Sequence, residues 1–206
     1  MIISGYNIRP FLITVPEAQD RTDFIMRHYT AVGFETEIFN GISSKVSGLV
    51  TTHLYEVDAP NSGYKISNKE VAGFLSFYMA WSAMLYMPEK YFWTTEFDCK
   101  YPINWRSRVE QALKDVPPDF DLLYVGSCCC KGKPMKHIRG DVFEMNQMQC
   151  GHSTIVAKKA LPIMLATQRK CYAPLDISLA FHTLDKLRCF AILPRVADQW
   201  ETFIPD

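Results

Sequence analysis

Hydrophobic and polar positions change period several times along the chain, and each change predicts an element. Phe11-Leu-Ile-Thr-Val15 is a short apolar run rich in β-branched residues, stopped by Pro16, and reads as a strand. Phe24, Ile25, His28 and Tyr29 recur at helical spacing, so a helix capped by Thr22 or Asp23 is expected to about Val32, with Gly33 ending it. Glu35 to Phe39 reads as the next strand, closed by Asn40-Gly41. A strand–helix–strand opening with tight loops favours a parallel sheet. Residues 42–66 keep no period and contain the turn cluster from Asp58 to Gly63, so a long loop or small insertion is expected.

Ser67-Asn-Lys-Glu70 has the form of a capping box. The helix it starts carries Val71, Phe74, Leu75, Phe77, Tyr78, Met79, Trp81, Met84 and Leu85. It is apolar nearly all round, which predicts burial between layers. Pro88 ends it, and Tyr91-Phe-Trp-Thr-Thr then reads as a strand running into Glu96 and Asp98. Asn104 is placed to cap an amphipathic helix that Pro117-Pro118 stop, and Phe120 to Gly126 predicts a second buried strand. Residues 127–141 read as irregular. Val142 to Asn146 and Ser153 to Ala157 read as strands around Cys150-Gly-His152. Lys158 to Lys170 predicts a helix that holds Pro162 in its first turn only with strain. A short helix with His182 follows Ala173 to Ile177, then a last strand from Leu187 to Leu193 and a tail from Pro194 to Asp206. The sum is a mixed, mainly parallel α/β sheet flanked by helices in one domain spanning 1–206.

Composition narrows the class. With 48% hydrophobic and 13% aromatic residues in 206, a sizeable core is affordable. Lysine plus arginine and aspartate plus glutamate both total 22, so no net field favours nucleic acid or an acidic membrane, though a local basic patch such as Lys131, Lys133, Lys136 and Arg139 remains open. The seven cysteines are an odd number without framework spacing, three of them contiguous at Cys128-Cys129-Cys130, which points to reduced thiols. The N-terminus lacks a charged segment followed by an apolar one, and no apolar run reaches membrane-span length. A cytoplasmic protein is expected.

Nucleotide P-loops, G-x-G-x-x-G turns, G-x-S-x-G elbows and H-E-x-x-H helices are all missing from the sequence. What remains is Glu96 and Asp98 at a strand exit. At a spacing of two in an extended segment, both side chains share one face. Carboxylates at the carboxyl end of a sheet strand suit Mg²⁺ or Mn²⁺ that takes further ligands from substrate phosphates. The competing reading is a solvated acidic turn.

Several pieces in order resemble glycosyltransferase family 25, the lipooligosaccharide and collagen galactosyltransferase-like group. They are Phe11-Leu-Ile-Thr-Val15 with Arg21; Ala72-Gly-Phe-Leu-Ser-Phe-Tyr-Met-Ala-Trp81, keeping Ser76 and Trp81; Glu96-Phe97-Asp98; Asp121-Leu-Leu-Tyr-Val-Gly126; Gly151 to Ala160; Pro174-Leu-Asp176; and Pro194 with Gln199. The chain departs from the family at Phe77, where a histidine is usual, at Ala72-Gly73, and at Phe97, which replaces the middle aspartate of an acidic triplet.

The resemblance implies a GT-A-like fold and transfer of a sugar, a hexose for this group, from a UDP-linked donor to an acceptor hydroxyl with Mn²⁺ or Mg²⁺. It implies that Asp98 and Glu96 hold the metal, with His152 or His182 as a third ligand. Thr14, Val15, Arg21, Asn40 and Glu96 would meet the nucleotide, and Asp176 would act as the base of an inverting transfer. For Asp176 a helix-capping role stays open. The acceptor would be a saccharide, a lipid-linked glycan, or a protein or nucleic-acid hydroxyl. Two other readings stand beside it: a binding or assembly module left after the acidic triplet eroded, and a metal-dependent phosphoryl or nucleotidyl transferase.

Overall fold

A computed structural model describes residues 1–46, 66–128 and 136–200. In chain order the strands are β1 (Ile2–Ile3), β2 (Tyr6–Thr14), β3 (Glu37–Asn40), β4 (Tyr91–Glu96), β5 (Cys99–Lys100), β6 (Leu122–Gly126), β7 (Lys136–Arg139), β8 (Val142–Met145), β9 (Ser153–Ala157), β10 (Cys189–Ile192) and β11 (Asp198–Gln199). The helices are α1 (Gln19–Ala31), α2 (Asn68–Met84), α3 (Trp105–Asp115), α4 (Leu161–Thr167) and α5 (Leu175–His182).

Nine strands form one sheet in the order β1-β2-β4-β9-β6-β10-β8-β7, with β3 also paired to β2. Strands β2, β3, β4, β6, β7 and β10 run one way, and β1, β8 and β9 run the other. The expected mixed, mainly parallel α/β sheet is therefore present. Strands β6, β9 and β10 are buried at every position, the signature of a sheet covered on both faces.

Alternation along the strands sorts the core into two layers. Ile8, Leu12, Trp93, Leu123, Val125, Ile155 and Phe190 face one side and pack with Ile25 and Tyr29 of α1 and with Val109, Ala112 and Leu113 of α3. Phe11, Ile13, Phe92, Leu122, Tyr124 and Val156 face the other and pack with Ala80, Trp81 and Met84 of α2, Met164 of α4 and Ala180 of α5. Helices α1 and α2 thus lie on opposite faces. The chain goes from β2 through α1 to β3 on one flank, then returns through α2 to β4 on the other flank. Strand order therefore reverses between β2 and β4, and a crevice opens at the carboxyl ends of these two strands.

Local signals fixed several boundaries. Ser67 Oγ accepts from Glu70 N while the Glu70 carboxylate accepts from Ser67 N at 2.7 Å, so the capping box is real and stabilises the start of α2 by about 1 kcal/mol. Gly33 has φ +69°, and Phe34 N donates to Tyr29 O across it at 2.8 Å. That left-handed residue stops α1 as expected. Helix α1 nevertheless begins at Gln19, earlier than Thr22 or Asp23. Thr22 is inside the helix, its hydroxyl bonded to Ala18 O and to Thr14 Oγ1. Asn104 precedes α3 but makes no side-chain cap.

Three other expectations change. Strand β7 occupies the end of the segment read as irregular, because its pairing with β8 and not its own period holds it. A 3-10 turn over Lys158–Ala160 precedes α4, so Pro162 falls at the start of the α-helix, where its missing N–H has no helical partner to lose. The tail contains β11, which pairs with β5 in a small second sheet. The turn cluster from Asp58 to Gly63, and Cys129, Cys130, Lys131 and Lys133, lie outside the described residues. The described cysteines are free thiols, and Arg139 is paired with Asp115 at 3.2 Å.

Candidate active site

The stretch from Tyr91 to Tyr101 is anchored from behind. Trp93 and Tyr101 sit among Phe34, Tyr29 and Trp105, with ring centroids 4.5 Å apart for the stacked Phe34–Tyr101 pair. Trp93 Nε1 donates to Ser153 Oγ at 2.8 Å, Tyr101 Oη meets the same hydroxyl at 2.7 Å, and Tyr29 Oη meets Thr95 Oγ1 at 2.8 Å. Residues 91, 93 and 95 thereby turn to this aromatic layer. By the strand's period of two, Thr94 and Glu96 turn to the opposite face, where they line a cavity of about 350 Å³.

Asp98 does not follow Glu96 onto that face. Strand β4 ends at Glu96, and Phe97-Asp98 form the turn into β5, so the extended spacing assumed for the pair stops two residues short of Asp98. Asp98 is covered by the C-terminal strand: Gln199 Nε2 donates to its Oδ2 at 3.2 Å, and Trp200 N donates to its carbonyl at 2.8 Å. Its Oδ1 is buried without a partner. His152 is fully buried beneath this turn, outside the cavity lining. Its Nε2 lies 3.1 Å from Ala197 O; a carbonyl only accepts, so Nε2 carries the hydrogen and Nδ1 keeps a lone pair, also buried without a partner. Burial lowers the His152 pKa, and the nearby Asp98 charge opposes that only in part.

The carboxylates share one electrostatic environment. Burial, then the charges of Asp98 and Asp176, push the Glu96 carboxyl up to about 8. Asp176 lines the cavity from the first turn of α5. It occupies the second helical position after Pro174 and makes no cap, so the capping role left open by the sequence is not the one it plays. Its Oδ1 accepts from Ile177 N at 2.8 Å, and its Oδ2 accepts from Cys150 N at 3.0 Å. The second bond ties α5 to the loop before β9, where Cys150 holds a left-handed φ of +55°.

Among the predicted nucleotide contacts, Thr14 and Val15 line the cavity from the end of β2. Arg21 stands over the Phe97 ring, 5.3 Å from its centroid, just outside the lining. Asn40 is exposed at the end of β3 and also lies outside it. His182 ends α5 with its ring 4.9 Å from that of Tyr172, and does not line the cavity. Sequence reasoning gave no site role to Tyr124, Thr154, Cys150 or Met148, which also line it. For Tyr124 on β6 and Thr154 on β9 the only available signal was the period of two along each strand, since both strands are buried at every position. The excess apolar character of α2 is explained in the same place. Gly73, Phe74, Phe77 and Trp81 present one flank of the helix to the cavity, while Met79 on another side is 44% exposed.

Gly41 and Ser76 close the rim. Gly41 N donates to Thr14 O at 2.7 Å, and Ser76 Oγ accepts from Ile42 N at 2.8 Å while donating to Ala72 O. A Cβ on Gly41 would lie 2.2 Å from Ser76 Oγ and 2.8 Å from Thr14 O. Gly41→Ala is therefore expected to push the loop after β3 away from α2 and to destabilise the protein by about 1–3 kcal/mol. Urea denaturation checks this; a midpoint equal to that of the wild type contradicts the close fit.

A divalent ion can be tested against these residues. Asp98 Oδ1 and His152 Nδ1 are buried acceptors lacking donors, and the Glu96 carboxyl is pushed up first by burial and then by the charges of Asp98 and Asp176. The two acceptors without donors, and the part of the Glu96 shift that comes from neighbouring charges, fit a cation at this turn, although Arg21 over Phe97 and Arg195 near His152 already bring positive charge to it. Among the described residues, no three His, Cys, Asp or Glu side chains gather as a metal-holding group, so the trio Asp98, Glu96 and His152 is not one. The donor set fits an ion of the kind that takes most of its ligands from substrate oxygens and water.

No protein-family model matches the chain, and no curated protein matches it. Among solved structures, A197 from STIV aligns over 96% of this chain and 87% of its own, with 14% identity and a TM-score of 0.51. That likeness shows a shared fold. A glycosyltransferase involved in glycosylation of the major capsid of PBCV-1 aligns over 96% and 93% of the two chains, with 10% identity and a TM-score of 0.49. A Drosophila β1,4-galactosyltransferase 7 mutant in complex with manganese, UDP-Gal and xylobiose aligns over 91% and 65%, with 11% identity and a TM-score of 0.44. No described helix is long and apolar enough to cross a membrane.

Proposed function

We propose that this chain is a single GT-A-like domain that transfers a sugar from a nucleotide donor, UDP-linked, to an acceptor hydroxyl, with inversion at the transferred carbon. The observation that carries the reading is the placement of Glu96 and Asp176 across one cavity at the strand-order reversal between β2 and β4. Ligands of open α/β sheets bind at such crevices. The ordered resemblance of the sequence to family 25 glycosyltransferases supports the same reading.

In this reading Thr14, Val15 and Arg21 meet the nucleotide at the end of β2, and Asn40 marks the outer edge of that contact. Glu96 and Asp98 would hold Mn²⁺ or Mg²⁺, whose chemistry is to neutralise the charge growing on the leaving nucleoside diphosphate. His152 supports the acidic turn from beneath. Asp176 accepts the proton of the acceptor hydroxyl as that oxygen attacks the sugar from the face opposite the leaving group. Its two backbone N–H contacts hold the carboxylate in one orientation while each oxygen keeps a second lone pair. The acceptor class is a saccharide, a lipid-linked glycan, or a protein or nucleic-acid hydroxyl, and the protein works in the cytoplasm.

One observation favours a second reading, a binding or assembly module without catalysis. Phe97 fills the middle of the acidic run and is stacked under Arg21. Calorimetric titration with UDP-sugars, with and without Mn²⁺, separates the two when it is paired with an assay of sugar release. The enzyme reading expects metal-dependent binding and turnover. Asp98→Asn is expected to remove the metal dependence of donor binding, weakening it at least about tenfold, while circular dichroism shows the fold intact. Wild-type metal-dependent affinity in that variant sinks the metal assignment.

A further inference from the structure

The sheet forms one wall of the cavity, and strand register sets three hydroxyl side chains next to one another on it. Thr154 of β9 pairs with Thr94 of β4 on one side and with Tyr124 of β6 on the other. Residues directly opposite in neighbouring strands share a face, with Cβ atoms about 5 Å apart. Thr94, Thr154 and Tyr124 accordingly all line the cavity, in a row about 10 Å long across three strands. Glu96 stands two residues beyond Thr94 on the same face, about 7 Å along β4. Asp176 is tied by Cys150 N to the loop that leads into β9, and its charge acts on both Glu96 and Tyr124.

Hydrogen bonding within the row decides what it offers. Thr94 Oγ1 donates to Thr154 O at 3.3 Å, and Thr154 Oγ1 donates to Gly151 O at 3.4 Å, so both hydroxyls keep acceptor capacity alone. Tyr124 differs. Its ring lies against Gly151, where a Cβ would come within 3.2 Å of Cε1, so the backbone fixes the phenol from that side. Its hydroxyl meets no hydrogen-bond partner among the described residues. The described side-chain atoms that are both sealed from solvent and unpartnered belong to Trp81, Glu89, Asp98, His152 and Trp200. Tyr124 Oη, unpartnered but not sealed, therefore opens on the cavity. The residue is otherwise buried, which holds its pKa well above the ordinary value and keeps it a neutral donor. An apolar occupant would leave that donor unmatched. An anion, which only accepts, would face two acceptors and Asp176. A group that both donates and accepts satisfies the row, and a sugar carries several such hydroxyls.

We propose that Tyr124 positions the transferred sugar, its phenolic O–H donating to one sugar hydroxyl whose own hydrogen turns to Thr154 Oγ1. The inference rests on the glycosyltransferase reading for the word transferred, and on the hydroxyl row alone for the sugar. At about 350 Å³ the cavity is at the small end of ligand sites, a size for one sugar and not for a whole nucleotide sugar.

The test compares wild type with Tyr124→Phe, which removes one oxygen and leaves the ring. Both are titrated calorimetrically with UDP, UDP-galactose and UDP-glucose in Mn²⁺, and with free galactose and glucose by saturation-transfer NMR. The variant is expected to bind the preferred UDP-hexose about 3- to 10-fold more weakly, as loss of one neutral hydrogen bond implies, and to bind UDP unchanged. Its melting temperature is expected not to fall, because the lost oxygen has no protein partner. UDP-deoxyhexoses, each lacking one hydroxyl, find the contact: the analogue without it is expected to bind both proteins alike. The same loss for every deoxy analogue overturns the inference, as does an equal loss for UDP or a lowered melting temperature. If UDP-hexoses bind both proteins equally, the role of Tyr124 falls and the donor reading stands. If only free hexoses bind, and the variant weakens them, the donor reading falls and the sugar contact stands. If neither free nor UDP-linked hexose binds, both fall.

Discussion

Glu96→Gln is expected to make the protein more stable in mild alkali and to end metal-dependent donor binding. The Glu96 carboxyl is pushed up to about 8 in the folded chain by burial and by the charges of Asp98 and Asp176, against about 4.5 when unfolded. Between those values the folded protein holds a proton that the unfolded chain has released. The stability this provides is complete below about pH 4.5 and is lost as pH rises through about 8. Because the cavity admits water, the loss is on the order of 3 kcal/mol, smaller than the full shift implies. Glutamine has no proton to lose. The variant is expected to melt roughly 6–12 °C above the wild type at pH 9 and near it at pH 5. His28 and His152, whose pKa values burial lowers, act the other way, supplying stability above their unfolded value that is lost as pH falls. They are common to both proteins and cancel in the comparison. Mn²⁺ is expected to recover part of the wild-type loss and to do nothing for the variant. Coincident melting curves at pH 9 would falsify the electrostatic account of the site.

Asp176→Asn is expected to lower kcat for sugar transfer by about 10²- to 10⁴-fold, the usual contribution of a positioned base, with donor affinity changed by less than about threefold. Asparagine keeps one acceptor oxygen and turns an NH₂ toward either Ile177 N or Cys150 N, so about 1–3 kcal/mol of stability is lost as well. Because the clamp and the base share one side chain, stability alone does not separate the roles. The split between an unchanged donor affinity and a collapsed kcat does. A kcat within tenfold of the wild type would leave Asp176 as a structural tie between α5 and the Cys150 loop.

The sequence by itself determined the elements whose cause is local. The capping box at Ser67 and Glu70, the left-handed stop at Gly33 and the apolar and β-branched strands β4, β6, β9 and β10 each act within a few residues, so their pattern is visible in one dimension. The mixed α/β class followed from the order of those elements. Glu96 at a strand's carboxyl end was legible for the same reason, since a period of two assigns its face. Tertiary structure alone decided that Asp98 leaves that face, because the turn at Phe97-Asp98 is set by pairing between β5 and a C-terminal strand about a hundred residues away. Pairing with β8, not local period, made β7 a strand. The cavity itself was invisible in the sequence. It exists because α2, α4 and α5 meet one face of the sheet without filling it, and volume left over between elements has no signature in any one of them.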